Sequence, residues 1–374
     1  MKRIYLITAL HASVHAPFLG SKVIVSLLAL KLGADASLVG LLIGCYAVPP
    51  LFLGVFAGKL ADRIGMRVPM MIGAASIGAA MVVGFLWNAL YALFAVAVLV
   101  GLGFVLFMVS VQNLVGALDG NRSRNYSILT IGYSISNFVG PMIAGYAIEY
   151  MGHVSAFLVF ACFPLPAVAT LAIYRALTRV STASPPEKSG SAAELLKIGP
   201  LRRTVLISGL QMAAWELFTF FIPVYGHSIS LHPSTIGNIL GCFAVATFVI
   251  RFALPWLTAR MKVETMLSVA MLGAGAACLA IPFAHDATVL FPAAFVIGLG
   301  LGCGHPLSLT LAFERSPPGR SGEVAGVRVT VTNFARVAVP LLAGSFGAML
   351  GAAPVFVLDA MILGGVGWLA RHID

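Results

Sequence analysis

The chain has 374 residues, of which 60% are hydrophobic and only 10% are charged, and its formal net charge is +10. Because an ordinary soluble domain carries roughly a quarter charged residues, this composition excludes a set of soluble domains, and five cysteines are too few for a disulfide-rich scaffold. Most of the chain is therefore expected to lie in a lipid bilayer.

Apolar stretches longer than about 18 residues follow one another without the alternating polarity of a membrane β-barrel. Since backbone groups in hydrocarbon must be satisfied internally, this pattern predicts transmembrane helices. In chain order, the twelve predicted spans are Ile4–Leu30, Leu38–Leu60, Val68–Trp87, Leu90–Leu118, Asn125–Tyr150, Val154–Leu177, Thr204–Tyr225, Ser234–Leu257, Val263–Phe283, Thr288–Phe313, Val324–Leu350 and Pro354–Ala370. The first run is similar to a secretory signal, but we interpret it as a span because many more follow.

The distribution of Lys and Arg residues provides a test of the predicted number of spans. With both termini in the cytoplasm, the inner loops and ends hold 18 of the 23 Lys and Arg residues, and the outer loops hold only Lys31. The remaining four (Lys22, Arg251, Arg328 and Arg336) fall within spans. This asymmetry follows the positive-inside rule, so we expect a multi-pass protein of a bacterial inner membrane. The positive charge is attributed to topology and to anionic lipid, and no nucleic-acid partner is expected.

The two halves of the sequence resemble each other at a spacing of about 198 residues. Gly140–Gly145 in span 5 corresponds to Val339–Gly344 in span 11, and Gly101–Gly103 in span 4 corresponds to Gly298–Gly300 in span 10. The repeats are parallel, with six spans each.

A polar stretch separates the repeats and is predicted to be a linker. The expected domains are an N-terminal six-helix bundle over 1–178, a cytoplasmic linker over 179–200 and a C-terminal six-helix bundle over 201–374. Parallel repeats of this kind suggest two bundles that rock about a central site.

Two motifs resemble a known family. Gly58-Lys59-Leu60-Ala61-Asp62-Arg63-Ile64-Gly65-Met66-Arg67 is similar to the loop motif G-x-L-A-D-R-x-G-R-K of the major facilitator superfamily, with Met66 in place of a basic residue. Gly140–Gly145 is similar to the G-P-x-x-G-G element of its proton-coupled exporters, with Ala144 at one glycine position. The resemblance implies an all-α integral membrane fold of twelve transmembrane helices in two pseudo-symmetric six-helix bundles. Span 4 lacks the arginine usual in those exporters, so coupling through that residue is excluded.

By this resemblance, eight residues form a conformational latch: Gly58, Asp62, Arg63, Gly65, Arg67, Gly140, Pro141 and Gly145. Gly65 permits a tight turn, and Asp62 can face a helix N-terminus or a cation of the next cytoplasmic loop, where Arg122 and Arg124 are candidates. The alternatives are that Arg63 and Arg67 only determine topology and that the glycines only permit packing.

Ionisable groups inside spans usually line a water-filled pathway. Glu216, near the middle of span 7, is the strongest candidate for a proton-carrying carboxylate, and Arg336 could hold it ionised or bind an anionic substrate. The alternative is a static ion pair. His11 and His15 lie one turn apart on span 1 and suit proton exchange, although a satisfied pair of core histidines fits equally well.

Further polar and aromatic side chains are candidates for lining a substrate cavity. They are Gln112, Asn113, Gln211, Trp215, His305 and Arg336. Arg251 is a candidate partner for a salt bridge between the bundles, and Asp359 has no assigned role beyond pairing within the C-terminal bundle. Neither a metal site nor a cofactor is expected.

The favoured function is a monomeric secondary transporter that exports a small organic molecule by alternating access, driven by protons. An importer or exchanger of organic anions is the alternative within this class, supported by Arg251 and Arg336. A non-transporting sensor on the same scaffold is the alternative from another class. We find no nucleophile placed with a base as in an active site, so the protein is not expected to be an enzyme.

The topology predicts that reporter domains fused to the first and last residues both lie in the cytoplasm. We expect a green fluorescent protein fused at either terminus to fluoresce, and alkaline phosphatase at the same positions to be inactive. An active phosphatase at one terminus only would show that the number of spans is odd and that the predicted topology is wrong.

Overall fold

The structure is a computed structural model that describes residues 2–118, 122–178, 195, 197–317 and 321–372. Most of the predicted linker 179–200 lies outside the described residues. The side chains of Asp62, Arg122 and Arg124 also lie outside them.

The first half of the chain forms six helices, numbered as the predicted spans. They are α1 (Lys2–Lys31), α2 (Ala36–Ile64), α3 (Arg67–Leu86), α4 (Leu90–Gly116), α5 (Arg122–Met151) and α6 (Ala156–Cys162 with Leu165–Ile173). The interruption of α6 falls at Phe163 and Pro164, because proline lacks the backbone N–H that would continue the helix. A short 3₁₀ helix, Arg175–Thr178, follows.

The second half repeats this order. Its helices are α7 (Gly199–Ser228), α8 (Pro233–Thr258), α9 (Val263–Cys278), α10 (Ala287–Glu314), α11 (Ser321–Leu350) and α12 (Ala353–Arg371). Twelve helices, counted over the described residues, are long and apolar enough to cross a membrane. The predicted twelve-span helical fold is therefore confirmed, and most span boundaries differ from the prediction by only a few residues.

The chain divides into two compact units. The first comprises Met1–Ser184 and His232–Gly241, and the second comprises Pro185–Leu231 and Cys242–Asp374. The same helix pairs pack in both units: α1 with α5, α3 with α4 and α3 with α6 in the first, and α7 with α11, α9 with α10 and α9 with α12 in the second.

Small residues let these helices approach closely, and they do so at equivalent positions of the two repeats. A Cβ atom added at Gly103 in α4 would lie 2.5 Å from the carbonyl oxygen of Gly73 in α3. At the same spacing in the second unit, a Cβ at Gly300 in α10 would lie 2.6 Å from the carbonyl oxygen of Ala270 in α9. The sequence repeat is therefore a repeat of backbone contacts, as is common where membrane helices pack through small residues.

The ends of each unit are also joined in the same way. Arg3 Nε at the start of α1 donates to the carbonyl oxygen of Leu177 at 2.8 Å, beyond the end of α6. Arg203 Nη1 at the start of α7 donates to the carbonyl oxygen of His372, beyond the end of α12. In each unit an arginine on the first helix thus binds a free carbonyl at the end of the last one, as expected where backbone acceptors lack helical partners.

Gly103→Ala and Gly300→Ala are expected to lower the thermal midpoint of the purified protein, each by the equivalent of about 1–3 kcal/mol, because a methyl group would be forced against backbone. Helix propensity alone would change stability in the opposite direction.

Gly364→Ala in α12 is the matched control, since an added Cβ there meets nothing within 4 Å. Equal thermal midpoints for all three variants and the original protein would contradict the close-packing interpretation.

Candidate functional site

The first unit contains a cluster of aromatic and polar side chains from α1, α4 and α5. His11 and His15 are 1% and 7% exposed, and their rings stack with centroids 5.2 Å apart. Tyr133 of α5 lies 4.2 Å from the His11 ring, and Phe104 of α4 lies 5.7 Å from the His15 ring, measured between centroids. The prediction that the two histidines share one helix face is confirmed.

Tyr133 connects these helices. Gln112 Nε2 donates to the Tyr133 hydroxyl at 3.3 Å, and that hydroxyl donates to Met108 Sδ at 2.9 Å. Sequence reasoning placed Gln112 at the cavity but missed Tyr133. A polar side chain seven residues, or two helical turns, before Gly140 on α5 was the available signal.

Part of this cluster has unused hydrogen-bonding capacity. Neither ring nitrogen of His11 has a hydrogen-bond partner among the described residues, and the same is true of the Thr8 hydroxyl one turn earlier. Because buried polar groups are nearly always hydrogen-bonded, these unsatisfied atoms distinguish this part of α1 from an ordinary packed interior.

Arg328 of α11 is the centre of a polar network in the second unit. It is 5% exposed, and its Nε donates to the Ser208 hydroxyl of α7 at 2.9 Å. Its Nη2 donates to the carbonyl oxygen of His305 at 3.0 Å and to the Ser308 hydroxyl at 3.1 Å, both on α10. One guanidinium therefore joins three helices.

Gln211 extends the network. Its Oε1 accepts from the Ser308 hydroxyl at 3.3 Å, and its Nε2 lies 3.6 Å from Met271 Sδ of α9. Its amide lies directly over Gly304, so that a Cβ there would overlap it. The predicted cavity residue Gln211 is thus 4% exposed and is held inside the second unit. Sequence reasoning counted Arg328 among the cations within spans but gave it no role.

Glu216 and Arg336 are brought together. Arg336 Nε lies 3.7 Å from Glu216 Oε1, and the side chains are 46% and 8% exposed, respectively. This separation is longer than that of a charge-assisted hydrogen bond. The contact is therefore a loose ion pair between a buried carboxylate and an accessible guanidinium.

Two further arginines carry their charge without a carboxylate. Arg251 Nε of α8 donates to the carbonyl oxygen of Gly302 at 3.3 Å. Among the described residues, no carboxylate lies within 4.0 Å of Arg251 or Arg328. Arg251 and Arg328 both bind backbone carbonyl groups of α10, those of Gly302 and His305, which lie three residues apart.

The remaining predicted positions show other contacts. Trp215 packs edge-on against Phe243, with ring centroids 4.7 Å apart, and Asn113 is half-buried on α4. Asp359 is fully buried, and its Oδ2 lies 3.7 Å from Cys278 Sγ. Asp359 Oδ1 has no hydrogen-bond partner among the described residues. Asp359 was expected to pair within the C-terminal bundle. Among the described residues, its carboxylate pairs only with the Cys278 thiol.

The loop motif between α2 and α3 has one backbone position that favours glycine. Gly65 has φ +81°, a conformation that side chains with a Cβ rarely adopt. Arg67 donates from Nε to the carbonyl oxygen of Leu171 at 2.6 Å and from Nη2 to that of Ala172 at 2.7 Å. It therefore caps the C-terminal end of α6, where a cation is favoured by the free carbonyl groups. Arg63 is exposed, and a Cβ added at Gly58 would lie 3.9 Å from Val109 Cγ1, an ordinary packing distance.

The glycines of α5 are close to backbone atoms. A Cβ at Gly140 would lie 2.7 Å from the carbonyl oxygen of Ala16 in α1, and one at Gly145 would overlap the carbonyl group of Pro233. The carbonyl oxygen of Pro141 would lie 2.6 Å from a Cβ at Gly237. Within the first unit, α5 thus packs closely against both α1 and the start of α8.

Comparison with known proteins identifies the family. The profile of the Major Facilitator Superfamily matches residues 4–340. The chain belongs to the Major Facilitator Superfamily. The family resemblance drawn from the two motifs is thereby confirmed.

Among relatives by sequence, this superfamily member is 24% identical over 303 residues to the multidrug resistance protein MdtH of Proteus mirabilis, with 79% of this chain and 74% of that protein covered. It is 26% identical over 249 residues to MdtH of Yersinia pestis, with 65% of this chain and 61% of that protein covered. The aligned part thus spans less than two thirds of the Yersinia protein.

Solved structures support the fold. A mutant of the nucleoside transporter NupG superimposes with a TM-score of 0.81 at 12% identity, covering 99% of both chains. A bacterial homologue of the human lysosomal transporter Spinster gives a TM-score of 0.79 at 13% identity, covering 99% of this chain and 96% of that one. The family and these neighbours are transporters rather than enzymes, and they carry small molecules through membranes.

Arg67→Gln is expected to lower the thermal midpoint, because two charge-assisted hydrogen bonds to the end of α6 are lost; each such bond contributes about 1.5–3 kcal/mol when shielded and less where it is exposed. Arg63→Gln removes an equal charge from the same loop at an exposed position and is the control. Equal thermal midpoints for the two variants would contradict the capping role.

Proposed function

We propose that this protein exports a small organic molecule by alternating access, in exchange for protons. The observation that carries the coupling part of the proposal is the Glu216–Arg336 pair, a carboxylate 8% exposed within an apolar helix and 3.7 Å from a half-exposed cation. A buried carboxylate with a loosely held partner can exchange the guanidinium for a proton, since either one compensates its charge.

Export as the direction is supported by two features. The relatives named as multidrug resistance proteins share 24–26% identity with this chain. The G-P element of α5, in which Gly140 and Gly145 lie against backbone of α1 and of the start of α8, is similar to an element of proton-coupled exporters.

The residues of the loop motif are proposed to form the conformational latch. Gly65 supplies the turn, and Arg67 holds the start of α3 to the end of α6. Asp62 acts in this proposal as the acceptor for a cation of the α4–α5 loop. His11 and His15 are proposed as a second proton-exchanging pair, because His11 has buried ring nitrogens without a hydrogen-bond partner among the described residues.

An importer or exchanger of organic anions is the second candidate. The presence of Arg251, Arg328 and Arg336 within helices of the second unit favours it. Direction and coupling can be separated by imposing a pH gradient of either sign on proteoliposomes and following compound uptake. Counterflow without a gradient also separates any transporter from a sensor.

Glu216→Gln is expected to abolish gradient-driven accumulation while leaving counterflow active, because exchange of substrate alone requires no proton release. The measurement uses proteoliposomes loaded with the dye pyranine. The compounds are those that raise the thermal midpoint of the purified protein in a screen of metabolites and drugs. For each compound, proton movement and compound uptake are recorded together.

Glu264→Gln is the control, since Glu264 pairs with Arg315 at 3.0 Å at the ends of α9 and α10. Gradient-driven accumulation by Glu216→Gln at the rate of this control would exclude Glu216 as the proton carrier.

A further inference from the structure

The second unit carries more positive than negative charge among its described membrane-spanning residues. Arg251 and Arg328 both bind carbonyl groups of α10, those of Gly302 and His305, and Arg336 lies on α11, eight residues after Arg328. Of these three arginines, only Arg336 has a carboxylate of a described residue within 4.0 Å, that of Glu216. The other buried carboxylate, Asp359, lies against Cys278 of α9.

An arginine can be buried without a carboxylate when neutral acceptors bind it, but such acceptors leave its charge uncompensated. The acceptors of Arg328 are two serine hydroxyls and one backbone carbonyl, and that of Arg251 is a backbone carbonyl. Buried charges are normally paired in stable proteins. Arg328, which is 5% exposed, has no counter-charge among the described residues, and the partly exposed Arg251 has none there either.

The geometry of Arg328 leaves one donor group available. Its Nε and Nη2 are bound, while Nη1 has no acceptor among the described residues. The Ser208 and Ser308 hydroxyls and the His305 carbonyl hold the guanidinium plane in position. A guanidinium oriented in this way suits a planar or tetrahedral oxyanion, for which arginine supplies parallel N–H donors.

We propose that Arg328, supported by Arg251 and Arg336, binds an oxyanion group, and that the transported substrate is an amphipathic organic anion such as a carboxylate, sulfonate or phosphonate. This inference rests on the proposed transport function and names its substrate class. The anionic group lies against Arg328, and the apolar part of the molecule lies along the aromatic side chains of α7 and α8, where Trp215 packs on Phe243.

An anionic lipid headgroup has the same chemistry as such a substrate. The test therefore uses the purified protein in nanodiscs of phosphatidylcholine, with and without phosphatidylglycerol. The probes are matched pairs that differ only in charge: 1-naphthoate and 1-naphthamide, naphthalene-2-sulfonate and its sulfonamide, and phenylphosphonate and its dimethyl ester. Thermal midpoints are measured against probe concentration.

In phosphatidylcholine alone, we expect the anion of at least one pair to raise the thermal midpoint and its neutral partner to have no effect. Arg328→Gln should weaken the apparent affinity for that anion at least about tenfold. Arg328→Lys keeps the charge and should retain part of the binding. Arg260→Gln is the control, because Arg260 lies over the Trp256 ring at the end of α8 and should bind the anion normally.

Two results would overturn the proposal. One is that no anion stabilises the protein more than its neutral partner does. The other is that stabilisation dependent on Arg328 requires phosphatidylglycerol, which would assign the oxyanion site to lipid. If Arg328→Gln does not fold, Arg251→Gln and Arg328→Lys provide the comparison, and unchanged affinity in both would count against the site.

Binding in nanodiscs needs no proton gradient. A failure of anion binding is therefore distinguishable from a failure of proton-coupled export, which is measured with the Glu216→Gln variant.

Discussion

The structure depends on one constraint, which is that backbone N–H and C=O groups in hydrocarbon must find partners within the protein. Because of this constraint, the apolar stretches of the chain form the helices α1 to α12. Since the backbone groups are bound within the helices, the polar groups available for binding in the interior are mainly those of side chains. Because a charged side chain at the bilayer centre costs about 3 kcal/mol on insertion scales, the few ionisable groups inside these helices are the features that a transport function has to explain.

The two units satisfy this constraint with different side chains on the same packing scheme. Equivalent helix pairs meet through equivalent small residues, such as Gly103 and Gly300. The interior of the first unit around His11 and Tyr133 is aromatic and has no arginine among its described contacts, whereas that of the second contains the Arg328 network and the Glu216–Arg336 pair. The coupling carboxylate Glu216 and the oxyanion site are accordingly both proposed in the second unit, whereas the second proton-exchanging pair, His11 and His15, is proposed in the first.

Structural and functional roles are combined in the same polar residues. Arg67 carries one of the positive charges expected on the cytoplasmic side, and it also caps the end of α6. Arg328 joins three helices and still has a donor available for a ligand. A small set of cations therefore serves membrane insertion, helix packing and the proposed recognition of substrate. These contributions differ in whether they change stability or binding.

The twelve helices, their order and the family could be predicted from the sequence, because hydropathy, charge asymmetry and motif spacing are local properties of the chain. The sequence also identified Glu216, His11 and Gln211 as polar groups inside helices. The contacts between these groups and other helices could not be predicted in this way. The Arg328 network joins α7, α10 and α11, and Tyr133 reaches His11 from another helix. Such contacts depend on the rotation and separation of packed helices. The spacing of residues within one helix carries no information about these quantities.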